Sequence, residues 1–426
     1  MNKFFDKNYY LIFFLFYLTI VVGFYFNEDS LGGAKHDYIY HLKFVSLFKE
    51  NNFIDGLKMF GGPNYEVRNS PFFYIIYAFF DNYFSLETLR KFNTIISLFI
   101  AIAFFKCLKI RFKNEKNLIL SLISCFIFLS PTVRSLSVWP YPLLWGILFF
   151  IISLFYYLLF LESKETKKEI KYAILTTLFI ILAAYIHPPL AVFNVFYLFN
   201  FYKYLKNLNF FLIILINILF IIPAVIFLIE NGIFFLKTTG ADVGIGTSLN
   251  FFNKIIIIST IILYFLFPII NPFKLIKEII HNLNYRKIIL FILTTILLSF
   301  FFNYEFTAIH GGGFVHKFSH MLFGNDIFLF VIFFISIICF YILFNNKINN
   351  YIIYLLIILS NIQYTIYNKY YDILVVILFF IISDIDIKKR FFEDRKILFF
   401  FYFIYLFYYL VTVFKISIYK FIYLIN

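Results

Sequence analysis

The chain is a succession of apolar runs, and that succession decides what it can fold into. Thirteen of them, at 9–26, 91–105, 118–130, 140–161, 172–186, 189–202, 208–230, 252–272, 288–303, 326–344, 351–367, 371–387 and 397–414, fill most of the 426 residues. About 20 apolar residues cross the hydrocarbon core of a bilayer as a helix, which satisfies its own backbone hydrogen bonds there. Hydrophobic residues make up 62% of the chain and charged residues 14%, whereas a soluble domain carries about 25% charge. A water-soluble fold is therefore excluded. The predicted fold is an all-α polytopic membrane protein of about 13 transmembrane helices, a single integral-membrane domain over 1–426. The first run is expected to be a retained helix, since no small-residue cleavage site follows it, and no large soluble domain is expected at either end.

The three cysteines, Cys107, Cys125 and Cys339, lie in or beside apolar runs, which argues against a disulfide framework or a multi-cysteine zinc site. The formal charge of +14 is scattered through short loops and forms no face on which a duplex could lie, so no nucleic-acid partner is expected. Lysines and arginines concentrate in the loops after runs two, four, six, eight, ten and twelve. Positive loops stay inside, which puts the N-terminus in the cytoplasm provided that 71–84 does not cross. A first outer loop then spans 27–90, with an amphipathic helix and a non-crossing segment, and a second spans 304–325. Six of the seven histidines (His36, His41, His187, His310, His316 and His320) fall outside, and only His281 falls inside. The cytoplasmic loops hold no glycine-rich phosphate cradle, so a site on the outer face cannot draw on a cytosolic nucleotide sugar or ATP.

The first outer loop is the most informative segment. Glu28 and Asp29 follow the first run, then Gly32-Gly33, then a helical pattern from Tyr38 to Phe48. Its apolar side suits a helix lying on the membrane surface, with Asp37 expected as its N-cap. Asp37 precedes His41 by four residues, so both can face one cavity. Farther on come Glu66, Arg68, and Ser70-Pro71-Phe72-Phe73-Tyr74.

This order resembles the GT-C superfamily of integral-membrane glycosyltransferases. Asp37 with Tyr38 and His41 matches the acidic motif that opens the family's long first outer loop, and Ser70-Pro71-Phe72-Phe73-Tyr74 matches its entry to the next segment. Arg90, Ser130-Pro131 and His187-Pro188-Pro189 are further echoes. The likeness is strongest over 27–92; elsewhere it extends to helix number and loop rhythm. The family's acidic pair is usually Asp-Glu, whereas here Tyr38 follows Asp37 and a second acidic pair, Glu28-Asp29, lies upstream. The resemblance implies a polyprenyl-phosphate-linked sugar as donor and a lipid or glycan as acceptor. It also implies contact with membrane lipid, and a bacterial plasma membrane fits the composition. A divalent cation is a candidate cofactor, with Glu28 and Asp29 as candidate ligands.

The chemistry sets its own requirements. Sugar transfer needs a base on the acceptor hydroxyl and positive charge on the departing phosphate. Asp37 suits the first task. Arg68, Arg134, Lys317 and Lys369 are the outer cations for the second, and Lys369 matches a late cation that binds lipid phosphate in the superfamily. His41, His187 and His316 complete the candidate substrate-binding set. The simpler alternatives are a plain helix cap for Asp37, a half-buried surface residue for His41, a local ion pair for Arg68 and head-group snorkelling for Lys369. His316 and His320, at i, i+4, would share a helix face and could bind a metal with His310 or Glu305. The glycines at 311–313 favour instead a substrate-gating loop. The rival function is a transporter or flippase of a lipid-linked saccharide, which should carry ionisable residues deep within spans.

Overall fold

The computed structural model describes residues 8–62, 65, 69–163, 165–231, 251–270, 278, 279, 281, 283–306, 311–361, 363, 365–392 and 395–425. Among them every regular element is helical. The chain gathers into two compact units, one formed by Met1–Lys237 with Tyr405–Asn426 and the other by Thr238–Ile404.

The first unit begins with α1 (Tyr10–Tyr25), followed by α2 (Ala34–Glu50), α3 (Phe53–Met59) and α4 (Phe72–Asp81). Next is α5 (Leu86–Arg111), which starts where the Ser85 hydroxyl accepts the Thr88 N–H at 3.2 Å. The third apolar run does not form one straight span. It makes α6 (Asn117–Cys125), a 3-10 turn (Phe126–Leu129) and α7 (Pro131–Val138), with a 66° bend at Ser130-Pro131. Proline has no N–H to continue the preceding ladder and suits the first turn of a new helix. Ser130 caps that helix by accepting Val133 N–H at 3.2 Å. Then come α8 (Pro142–Glu162), α9 (Thr166–Ile186), a 3-10 turn (Pro188–Phe193), α10 (Asn194–Tyr204) and α11 (Asn207–Asn231).

Helix α8 packs along α5 and α9 and forms the centre of this unit. Its Gly146 allows that approach, since a Cβ there would stand 2.7 Å from His187 Cβ. By contrast, α11 leaves Leu208, Phe211, Ile218, Phe220, Ile222 and Ile229 exposed. Such a surface suits lipid and not water.

The second unit comprises α12 (Phe251–Ile270), α13 (Tyr285–Phe300), α14 (Gly313–Phe323), α15 (Ile327–Phe344), α16 (Ile348–Leu359), α17 (Leu374–Ile381) and α18 (Arg395–Ile425) up to Ile404. Helix α12 is its core, packed by α13, α14, α15, α16 and α17.

Seven described helices are long and apolar enough to cross a membrane: α5, α8, α9, α11, α12, α15 and α18. These helices point to a membrane protein. Other runs condense into shorter pieces. The run at 371–387 contains only α17, eight residues that are all buried. The run at 189–202 opens as a 3-10 turn at its prolines, leaving 11 residues for α10. Hydropathy registers burial against protein and burial against lipid alike, so an apolar run does not by itself fix the length of the helix it forms.

Candidate functional site

The stem of the first loop is strapped to α7. The Glu28 carboxylate accepts a forked pair from Arg134, Nε to Oε1 and Nη2 to Oε2, each at 2.6 Å. The guanidinium also donates to Thr19 Oγ1 at 3.0 Å, Phe128 O at 3.1 Å and Thr19 O at 3.2 Å. Its face lies 5.1 Å from the Tyr409 ring centroid. A guanidinium has five N–H donors, and all five meet protein acceptors here. Ser30 and the Leu31 N–H bond to the Ser135 hydroxyl at 3.0 and 2.8 Å, and Trp139 Nε1 donates to Glu28 O at 3.0 Å. Arg90 stacks 4.0 Å over Trp139 and donates to Val138 O and Asn27 Oδ1.

Asp29, not Asp37, terminates α2. Its Oδ1 accepts the N–H groups of Gly32, Gly33 and Ala34 at 3.1–3.2 Å, and its Oδ2 accepts that of Lys35 at 3.2 Å. The helix begins at Ala34, so Asp37 stands in its first turn and the expected cap is corrected. The reason is geometric: a carboxylate five residues before the helix can fold back over several orphan N–H groups and meet the positive helix end. Both proposed cation ligands thus have protein partners, Glu28 the Arg134 guanidinium and Asp29 four backbone amides.

Held in this way, α2 lays its apolar face on Trp139, Tyr141 and α4. The Tyr38 ring lies 5.8 Å from that of Trp139, and the His41 imidazole stacks on Tyr141 at 5.0 Å and 22°. Asn69 Nδ2 donates to the Tyr74 hydroxyl at 3.1 Å, which lies 3.2 Å from His41 Nδ1. The phenol oxygen thus accepts from Asn69 and stands within hydrogen-bond distance of His41 Nδ1. Burial pushes the Tyr74 phenol well above its ordinary value, and Asp37 is among the charges that add to the shift. The phenol therefore stays a neutral donor. Asp37 is half-buried and His41 is 8% exposed, so the carboxylate has access to solvent while the imidazole is fixed.

Arg68, Glu66 and His310 lie outside the described residues. His187 is buried in the seam of α8 and α9. Lys369 belongs to the second unit, in a 3-10 turn (Asn368–Tyr370), with its ammonium 5.3 and 5.8 Å from the rings of Tyr367 and Tyr370.

Residues 311–326, within the second unit, form a cluster of their own. Gly311, Gly312 and Gly313 all have φ between +60° and +82°, a region closed to most side chains. They turn the chain into α14, where His316 and His320 share a face. Gly324, at φ +67°, ends that helix and returns the chain to Asp326 at the head of α15. Asp326 Oδ1 lies 2.8 Å from His320 Nε2 and 3.2 Å from His316 Nε2. Burial alone would raise the Asp326 carboxyl, but the two imidazoles hold it below its ordinary range.

Sequence reasoning missed two features. Tyr141, the stacking partner of His41, is marked only by its place between Pro140 and Pro142. Lys254 is 2% exposed, its ammonium makes no hydrogen bond among the described residues, and it lies 5.2 Å over the Phe251 ring. A lone lysine near the start of an apolar run was the available signal. No family model matches the chain, and no curated protein or solved structure matches it significantly.

Proposed function

We propose that the chain is an integral-membrane glycosyltransferase of the GT-C type. It moves a sugar from a polyprenyl-phosphate donor to a lipid or glycan acceptor on the non-cytoplasmic face of a bacterial plasma membrane. In this reading about 13 segments cross, including the shorter and broken helices, and the N-terminus is cytoplasmic.

One observation carries the proposal. The two segments that resemble the superfamily, Asp37 to His41 and Ser70 to Tyr74, meet in one polar cluster anchored by Asn69 and Tyr141. Asp37 takes the proton of the acceptor hydroxyl. His41, oriented by the Tyr74 hydroxyl and the Tyr141 ring, contributes to substrate binding. Precise placement of this kind is worth several kcal/mol in a transfer reaction. Phosphate is held by Arg68, since the Arg134 donors are engaged with Glu28, Thr19 and Phe128. Where a divalent cation takes part, Glu28 and Asp29 would bind it only by leaving their protein partners.

A specific observation also favours the transporter reading for a lipid-linked saccharide. Lys254 is a buried ionisable residue on an apolar helix, and such residues often mark a substrate path.

The test is sugar transfer by membranes containing wild type or Asp37→Asn, with a panel of labelled polyprenyl-phosphate hexoses, pentoses and aminosugars. Transfer by wild type, lost in the variant at equal protein level, supports the enzyme. Equal transfer by both removes Asp37 from the chemistry. Absence of transfer from every donor favours the transporter, tested next by flipping of lipid-linked saccharide.

A further inference from the structure

We infer that His316, His320 and Asp326 form a binding site for a transition-metal dication of the Zn²⁺ class. Their ligand atoms all lie within 4.8 Å of one another. In a tetrahedral Zn²⁺ site, metal–ligand bonds of about 2.0–2.1 Å separate ligand atoms by roughly 3.3 Å. The two His–Asp separations, 3.2 and 2.8 Å, lie at and somewhat inside that edge length, so a bound ion would need the carboxylate to draw back slightly from His320. Two imidazoles and one carboxylate favour Zn²⁺ and its neighbours over Mg²⁺ or Ca²⁺, which prefer oxygen ligands throughout.

An independent observation points the same way. The His316 side chain is 1% exposed, yet neither ring nitrogen makes a hydrogen bond among the described residues. Its Nε2 approaches Asp326 in distance but not in hydrogen-bond direction. A buried imidazole without a hydrogen-bond partner is costly, and a metal supplies the missing partner. The surroundings are prearranged for it. Rings of Phe302 and Tyr304 enclose His316, and the Phe306 ring stacks on His320 at 4.7 Å and 12°. The Ser319 hydroxyl donates to Asn325 O at 2.6 Å and accepts Leu329 N–H at 3.3 Å, which locks the corner that brings Asp326 back. Gly312 is required beside the ring, since a Cβ there would stand 2.7 Å from His316 Nδ1. His320 and Asp326 remain 21% and 26% exposed, so the open side of the site faces away from His316. Three protein ligands with a vacant fourth position is the pattern of a site that takes water or a substrate oxygen.

The test uses the full chain purified in detergent. Zn²⁺ content is measured by elemental analysis after dialysis against buffered Zn²⁺, and Co²⁺ absorption reports the ligand geometry. The variants are His320→Ala and Asp326→Asn, both at partly exposed positions, with His36→Ala on α2 as control. Wild type and His36→Ala should hold about one equivalent, show the visible Co²⁺ bands and gain thermal stability with Zn²⁺. Each ligand variant should bind at least about tenfold more weakly and lose those bands. Variants are compared only where gel filtration shows the wild-type elution. A folded wild type without stoichiometric metal overturns the inference, as does unchanged affinity in both ligand variants.

Discussion

Replacing Glu28 with Gln tests how the first loop is held. The pair with Arg134 has side chains only 14% and 11% exposed, so it behaves as a buried pair and not as a surface pair worth under about 1 kcal/mol. Gln keeps one acceptor but turns N–H donors toward the Arg134 Nη2–H group or its Nε–H. That leaves a guanidinium partly unpaired beside the Tyr409 ring. Breaking one side of such a pair costs about 3–5 kcal/mol. The Tyr409 hydroxyl, 3.3 Å from Glu28 Oε1, loses an acceptor as well. The assay is reversible unfolding in mixed micelles of mild detergent and SDS, for wild type, Glu28→Gln, Arg134→Met and the double variant. Arg134→Met strands the carboxylate and should cost a similar amount. The double variant should cost less than the two singles together, with a coupling of about 0.5–3 kcal/mol. Single effects within about 0.5 kcal/mol of wild type, or strict additivity, would refute the idea that this pair straps the loop to α7.

Two further outcomes follow from the same geometry. Asp29→Ala removes the acceptor of four backbone N–H groups at the head of α2 and should cost about 1–2 kcal/mol, measured by the same unfolding assay, whereas Asp37→Asn should leave stability near wild type; the reverse order would restore Asp37 as the cap. Lys254→Met removes a buried ammonium that makes no hydrogen bond among the described residues and should stabilise the chain by an amount on the order of 1–3 kcal/mol, seen as a higher melting temperature; a lower one would mean that the ammonium has a partner in the folded protein.

The resemblance in the first loop and the geometry around it stand in a particular relation. Asp37 and His41 share a helix face because they are four residues apart, and the pattern of α2 made that legible. Their neighbours come from two other segments, Asn69 with Tyr74 from one and Tyr141 from the other, which no local pattern connects to α2. The role of Arg134 reversed for the same reason. As a lone outer arginine it qualifies as a phosphate ligand, but 106 positions separate it from Glu28, and only the folded chain shows that its donors are occupied. That His316 and His320 share one helix face was legible from their i, i+4 spacing. The approach of Asp326 to them was not, because it depends on Gly324 reversing the chain.

What the sequence by itself determined was the solvent of the fold and its element type. Apolar composition demands lipid or a large core, and a backbone buried in either must close its own hydrogen bonds as helices. The tertiary structure alone decided which apolar runs become long helices and which become buried fragments such as α17. It alone decided which polar residues meet. Hydropathy adds up along the chain, whereas ion pairs, imidazole stacking and metal geometry depend on distances across it.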